Sequence, residues 1–553
     1  MLENFDPNAI QDLASARQAI IHLLNLIEDL TADLREAQAE IQRLRDENNR
    51  LKGEQGKPNI PPNKKPVPPK HSSERERRKP REWKKGSKVD QIRVDREQGV
   101  SIDPAVLPPD AEFKGHEAVI VQDLILHTDN IRFWKEKYYS PAQGRTYLAE
   151  LPKGYAGEFG PGVKSAVLVW YYGMNTSEPK IQEFLHHIGI QISAGQLSNL
   201  LIQKQTLFHQ EKDALYLAGL RASPYQQMDD TATRVDGVNQ HCHVVCNPLY
   251  TCYFTSEKKD RLAILDVLRN EAPRVYRLNS SAYAWLEPFR LPASLMAQLH
   301  RLPQEQDMDE TEFEHRLNEL QLPVGSQQRK HILEAAAVAA YHQQTEWPVV
   351  DTLVCDDAGQ FKGLTEHLGL CWVHDGRHYK KLEPAVALHR QQLDTFLGQY
   401  WAFYDQLLDY QTQPSGERSA QLSREFDARF STVTGYTALD ERIAKTKAKK
   451  AELLLVLEHP EIPLHNNLAE LAARSRVRKR DVSYGPRTSA GKKAWDTFMT
   501  LGATAKKLGV SFYQYIYDRV SGTRQIPSLA DLITQQAEQR QLGTSWQPQA
   551  ASP

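Results

Sequence analysis

Cysteine is scarce in this chain, five residues in 553. An odd count over that length builds no disulfide framework, and the N-terminus lacks the basic patch and apolar core of a secretory signal. A reducing, cytoplasmic setting is expected. Residues 90–160 hold no Cys at all, which excludes a thiolate-bound zinc there. Long hydrophobic runs are also missing. The stretch 163–172 is short and carries Lys164, so no membrane span is expected. Net charge is almost absent, −1 at pH 7, and points to no partner. The charge is distributed unevenly, however, and its placement is informative.

Residues 13–51 repeat in sevens. Leu13, Ile20, Ile27, Leu34, Ile41 and Asn48 take one core position; Ala16, Leu23, Leu30, Ala37, Leu44 and Leu51 take the other. No Pro or Gly interrupts them. This predicts a coiled-coil dimerisation helix over residues 1–53, parallel, with Asn48 setting the register. A long helix folded on its own protein is the alternative. Residues 54–89 then form a basic, Pro-rich linker: Gly53–Lys88 carries twelve Lys/Arg against four Glu. Such a stretch packs no core, and Arg77, Arg78, Lys84 and Lys85 are its candidate phosphate contacts. A solvated spacer is the plainer reading.

Residues 90–158 read as a small β-rich module, with a hairpin of Ala118–Ile125 and Ile131–Tyr139. Its basic-aromatic face is Lys135, Lys137, Tyr138 and Tyr139. Residues 159–215 read as helical: 163–172, then Glu178–His187, a turn at Gly189, and a second helix behind Ser193. That order resembles a helix-turn-helix, whose second helix would enter a major groove; an ordinary helix pair looks the same. Residues 216–284 contain three β-rich runs, Thr231–Val235, His241–Cys246 and Tyr250–Ser256, separated by turn residues. They predict an antiparallel meander, with Asp229 and Asp230 on its first strand. Strands disfavour Asp, and a buried carboxylate must be paired or bound to metal.

Residues 285–346 read as a helical insertion, with helices over 295–302, 310–320 and 327–341. Residues 347–376 hold the apolar run Val349–Cys355 ending at Asp356-Asp357, a short helix over 363–368 and a strand over 369–374. Residues 377–460 read as helical, over 377–410, 418–428 and 453–457. In residues 461–522, Glu470 opens a basic helix. Arg474, Arg476, Arg478, Lys479, Arg480, Lys492 and Lys493 are its candidate DNA contacts. Residues 523–553 are a Gln-rich tail, expected to be poorly ordered at its end. Cys371 and His374 have metal-ligand spacing, but no second pair follows at zinc-finger distance, and a structural packing role is the expectation.

Met228-Asp229-Asp230-Thr231, Val354-Cys355-Asp356-Asp357, Cys371-Trp372-Val373-His374 and Asn466-Asn467-Leu468-Ala469-Glu470, followed by Arg478-Lys479-Arg480, occur in this order. In this the chain resembles the transposases of the bacterial insertion-sequence-66 family. The resemblance implies an α/β fold: an RNase H-like mixed-sheet catalytic core with large helical insertions, an N-terminal coiled coil and a helical DNA-binding region. It implies a catalytic, metal-binding triad of Asp229, Asp356 and Glu470 using Mg²⁺ or Mn²⁺. Asp230 and Asp357, one residue along their strands, would face away. The implied partners are the element's terminal inverted repeats, target DNA, further copies of the chain and small accessory proteins. The chain departs from the family in lacking a Cys-rich module after the linker. It also has His465 where an acidic residue is common, Leu471 where a basic one is usual, and a larger insertion. A catalytically silent DNA-binding derivative and a coiled-coil adaptor are the competing readings.

Overall fold

The computed structural model describes residues 10, 12–52, 92–155, 157–320, 324–540 and 542. The basic linker, with Arg77, Arg78, Lys84 and Lys85, lies outside them, as do residues 543–553. Among the described residues no helix is long and apolar enough to cross a membrane.

The heptad segment is one helix, α1 (Leu13–Leu51), closed at its start by a capping box of Asp12 and Ser15. One face docks on the same chain. Asn25 donates to the Gly435 carbonyl and accepts from the Thr437 N–H. The Glu28 carboxylate accepts the N–H groups of Ala385 and Val386 and pairs with His389 at 3.2 Å. The heptad residues Leu13, Ile20, Ile27, Leu30, Leu34, Ile41 and Leu44 remain exposed. The helix therefore folds back on its own protein by one face and turns its apolar seam outward.

The expected hairpin is shorter and later than its alternation suggested. No strand forms over 118–125, where Val119, Val121, Leu124 and Ile125 are exposed and have no core to face. The ribbon is instead β1 (Lys137–Ser140) and β2 (Arg145–Leu148), antiparallel and largely exposed. Next comes α2 (Pro161–Leu168), with Pro161 in its first turn, widening into a π turn over Val169–Gly173. The helix pair follows as α3 (Glu178–His187) and α4 (Ala194–Ile202), the latter capped by Ser193 and Gln196. Then comes α5 (Thr206–Arg221).

The meander is β3 (Tyr225–Val235), β4 (Val238–Cys246) and β5 (Thr251–Ser256), antiparallel throughout. Its first strand begins six residues before the β-rich run, so Asp229 lies mid-strand. After α6 (Arg261–Leu268) the insertion builds a two-strand pair, β6 (Val275–Tyr276) with β7 (Met308–Asp309). Its helices are α7 (Ser280–Leu286), α8 (Ala293–Leu299), α9 (Glu310–Asn318) and the mostly buried α10 (Ser326–Gln343). Two further strands, β8 (Thr352–Cys355) and β9 (His367–Leu370), pair in parallel, β8 on β3 and β9 on β8. The sheet order is β5-β4-β3-β8-β9.

The helix expected over 363–368 is absent, because Gly363 adopts φ +71 and the chain is already extended for pairing at His367. The strand expected over 369–374 stops at Leu370, and α11 (Trp372–Lys380) begins two residues later. The helix expected over 377–410 is broken before α12 (Ala387–Thr412). Pro384 has no N–H to continue the ladder, and Glu383 before it takes a positive φ. With α13 (Gly416–Arg429), α14 (Thr437–Lys447) and the short α15 (Lys450–Leu453), these helices close round Trp372, whose ring meets Tyr400, Phe403, Phe426 and Phe430.

Behind the meander lie α16 (Asn467–Ser483) and α17 (Ser489–Lys507), followed by α18 (Phe512–Ser521). The tail holds one more helix, α19 (Leu529–Arg540), packed on α5 with Leu529 and Ile533 buried.

Burial raises the Glu28 pKa, but the N–H donors of Ala385 and Val386, with His389, outweigh it and hold the carboxyl below its ordinary value. That stabilisation is present above the ordinary value and is lost as pH falls through the depressed one. Glu28→Ala is expected to weaken docking of α1 by about 1–3 kcal/mol. Limited proteolysis should release α1 from this variant at neutral pH, but from the parent only in acid.

Candidate active site

In the parallel register of β3 and β8, Gln227 stands opposite Val354. Asp229 and Asp356 each lie two residues further on, so the alternation of side chains puts both carboxylates on one face, next to each other. The third carboxylate arrives on α16. Asn466, fully buried at the N-cap, donates its side-chain amide to the Met228 carbonyl at 2.7 Å and its backbone N–H to Cys371 Sγ at 3.4 Å. This ties the helix start to the residue before Asp229. Glu470 follows one turn later, its N–H on the Asn466 carbonyl at 3.1 Å.

The Asp229 carboxyl is pushed up to about 7. Burial is the largest cause and Asp356 the next; Glu470 and Asp230 add to it, while the Asp230 N–H opposes. Its strongest charged neighbours are thus all acidic. Mutually repelling, half-buried carboxylates of this kind are the donor set of a hard divalent cation. Asp230 and Asp357 are occupied elsewhere. Asp230 accepts from Gln360 at 2.8 Å and faces Lys259 at 3.8 Å; Asp357 pairs with Lys362 at 2.8 Å and with Lys449.

Cys371 and His374 border this site from the start of α11. Their ligand atoms and that of Glu470 lie within 4.8 Å of one another. Arg377, which the sequence reading passed over, braces the group. It places Nη1 2.8 Å from His374 Nε2 and donates from Nη2 to Glu470 Oε2 at 3.1 Å; Arg474 stands 3.8 Å from the same oxygen. Burial is the main cause lowering the His374 pKa, helped by Arg377 and opposed by Glu470 and Asp356, which leaves a neutral imidazole at neutral pH. The signal for Arg377 was its place three residues after His374 on one helical face.

The basic stripe on α16 divides by face. Arg474 and Arg478, one turn apart, are exposed. Arg480 is half-buried and donates to the Ala232 carbonyl at 2.6 Å; on α17, Lys493 is exposed and Lys492 half-buried. Arg476 and Lys479 correct the expectation of DNA contact, because both are fully buried. Arg476 pairs with Asp496 at 3.0 Å, donates to Thr255 Oγ1 at 2.7 Å and lies over the Trp495 ring. Lys479 sits 3.3 Å over the Tyr171 ring and donates to the Tyr171 carbonyl. A side chain with no free surface reaches no phosphate.

Arg476→Ala, which leaves Asp496 buried and unpaired, is expected to cost about 3–5 kcal/mol of stability. Arg474→Ala and Arg478→Ala should leave the melting curve within about 0.5 kcal/mol of the parent.

For Asp229 the folded pKa is raised, so the metal-free protein is most stable with the carboxyl protonated. It loses stability as pH climbs from 3.8 to about 7. Asp229→Asn should remove that slope and stabilise the metal-free protein at pH 8 by about 1–3 kcal/mol. Thermal unfolding of parent and variant from about pH 4 to pH 8, with and without Mg²⁺, checks both.

The chain was compared with known proteins. The family model described as Transposase IS66 family matches residues 156–279 and 333–494. The unmatched interval between them contains α7, α8 and α9, most of the insertion. The uncharacterized protein y4jO of Sinorhizobium fredii (strain NBRC 101917 / NGR234) is 33% identical over 321 residues, 58% of this chain and 99% of the relative. The family match covers more than half of the sequence and includes Asp229, Asp356 and Glu470, and the chain accordingly belongs to the IS66 family of transposases.

Proposed function

We propose that this transposase is an Asp-Asp-Glu enzyme with an RNase H-like core. On this reading it cuts DNA at the ends of its insertion sequence and joins the freed ends to target DNA. The observation that carries the reading is the electrostatic proximity of Asp229, Asp356 and Glu470: burial first, then the charges of Asp356 and Glu470, raise the Asp229 pKa to about 7. A sheet with an antiparallel meander and two further parallel strands, carrying two of those carboxylates on adjacent strands, supports the core assignment.

Asp229, Asp356 and Glu470 would hold Mg²⁺ or Mn²⁺, which supplies charge neutralisation at the attacking and leaving oxygens of a phosphodiester. Asn466, through the Met228 carbonyl, and Arg377, through Glu470 Oε2, would position Glu470 for that role. Arg474 and Arg478 offer their guanidiniums to the DNA backbone beside the site. In the first step water attacks the scissile phosphorus; the P–O3′ bond breaks and leaves a 3′-hydroxyl. In the second, that hydroxyl attacks a target phosphodiester, forming one P–O bond as another breaks.

The helix pair α3–α4 and the β1–β2 ribbon are our candidates for recognising the element ends. The outward apolar seam of α1 supports pairing with a second copy. Asp229→Asn, Asp356→Asn and Glu470→Gln are each expected to lower cleavage of end-bearing DNA by on the order of a thousandfold, about 4 kcal/mol of barrier. Binding of the same DNA should be unaffected. Cleavage that persists in EDTA, or in the Asp229→Asn variant, would remove the basis of this assignment.

A further inference from the structure

A second group of metal-ligating side chains lies at the opposite end of the sheet. β8 runs from Thr352 to Cys355. Asp356 follows its last residue, in the active site, and Asp351 precedes its first. Five strand residues, about 16 Å, separate the two. The neighbouring parallel strand begins beside Asp351, where the His367 N–H donates to the Asp351 carbonyl at 3.1 Å. One ligand atom from each of Asp351, Glu366 and His367 lies within 4.8 Å of the other two. Ligands of a tetrahedral zinc ion, about 2.0–2.1 Å from the metal, stand roughly 3.4 Å from one another, so small movements would gather these three.

The surroundings hold them in place. Thr352 Oγ1 donates to Asp351 Oδ2 at 3.0 Å, and Thr365 Oγ1 donates to the His367 carbonyl at 2.8 Å. Asp351 and His367 are half-buried; Glu366 is exposed. A second imidazole stands alongside. The ring of His459, also half-buried, is centred 5.9 Å from that of His367. Burial is the main cause lowering the His459 pKa; Glu461, Glu458 and Asp351 oppose it and His367 adds to it. At neutral pH the ring is therefore neutral, the form that binds a metal.

His459 belongs to the segment that leads to Asn466 and the start of α16. It sits in a turn closed by the Ile462 N–H on the His459 carbonyl at 3.0 Å. This segment meets the sheet through a small cluster of Tyr225, Val354, Leu455 and Ile462, apart from the main core. So small a cluster stabilises little by itself, and an ion bridging the segment to both strands would add to it.

We propose that Asp351, Glu366, His367 and His459 hold one Zn²⁺, separate from the active site, that staples the segment before α16 to the starts of β8 and β9. Two imidazoles with two carboxylates select zinc over Mg²⁺, which takes oxygen ligands and water. Four protein ligands close the coordination, so the ion is structural and its binding adds to folding stability. The inference does not depend on the catalytic reading.

The test uses the full chain carrying Asp229→Asn/Asp356→Asn/Glu470→Gln. This background leaves Cys371 and His374 at the active site, too few ligands for a tight zinc site. Stripped with EDTA and returned to buffer with excess Mg²⁺, it is titrated with Zn²⁺ against a chromophoric chelator. A single equivalent is expected to be withheld from the chelator. Co²⁺ in its place is expected to give a spectrum with no thiolate charge-transfer band. Adding Glu366→Gln or His367→Gln should weaken Zn²⁺ by more than about tenfold, a loss that even outer-shell changes cause. Adding His315→Gln, at an exposed histidine on α9, should not. Zn²⁺ should raise the melting temperature of the background but not of the His367→Gln chain. Glu366 is exposed, so Glu366→Gln should keep the fold, as melting in EDTA will verify. No equivalent withheld, a thiolate band with Co²⁺, or background-like affinity in Glu366→Gln overturns the site and leaves the transposase reading standing.

Discussion

The hydrogen bond from the Asn466 side chain to the Met228 carbonyl is the joint on which the site depends. It is buried, and it links a helix start to the middle strand of the sheet across more than two hundred residues. The same few residues tie in a third segment. The Asn466 N–H meets Cys371 Sγ, and the Trp372 N–H donates to the Leu464 carbonyl. A carboxylate on a helix can face two on a sheet only if the helix's first turn is held in place. Here the Met228 carbonyl on β3 and the Cys371 sulfur and Trp372 N–H at the start of α11 hold it, and Arg377 holds the Glu470 side chain.

Charge then sorts by direction along α16. Its inward cations are structural: Arg476 is joined to Asp496 and Thr255, and Lys479 to the Tyr171 carbonyl in the π turn after α2. The wider π turn presents that carbonyl to α16, so the module containing α3 and α4 is anchored to the element that carries Glu470. The outward cations, Arg474 and Arg478, are exposed to solvent. The opposed carboxylates of Asp229, Asp356 and Glu470 repel one another, and Arg377 and Arg474 offset the Glu470 side of that repulsion.

The long N-terminal helix is attached through polar groups rather than through its apolar seam. Glu28 caps the start of α12 in place of a local side chain, accepting N–H groups that would otherwise lack partners. His389 completes the contact, stacked on Tyr436. Whatever meets the exposed heptad face is thereby held in a set orientation to the helices around Trp372. The insertion between β5 and β8 acts as a scaffold: α10 is buried along its second half and lies against α6 and α7.

Local chemistry was sufficient for several features. The heptad predicted α1, the turn residues divided the meander, Ser193 marked the start of α4, and the ordered Asp, Asp and Glu motifs marked the carboxylates. Each of these signals lies within a few residues of what it specifies. Readings that depended on a distant partner failed. Residues 118–125 alternate like a strand but meet no sheet, and residues 367–370 became a strand because β8 was there to pair with. Arg476 and Arg478 are indistinguishable as letters; the sheet behind α16 buries one and leaves the other in water. The sequence by itself determined which residues could form helices and turns and which acidic residues could be drawn together. Only the tertiary structure decided which charges face each other and which face solvent, because burial and pairing belong to the packed arrangement and not to any single stretch of chain.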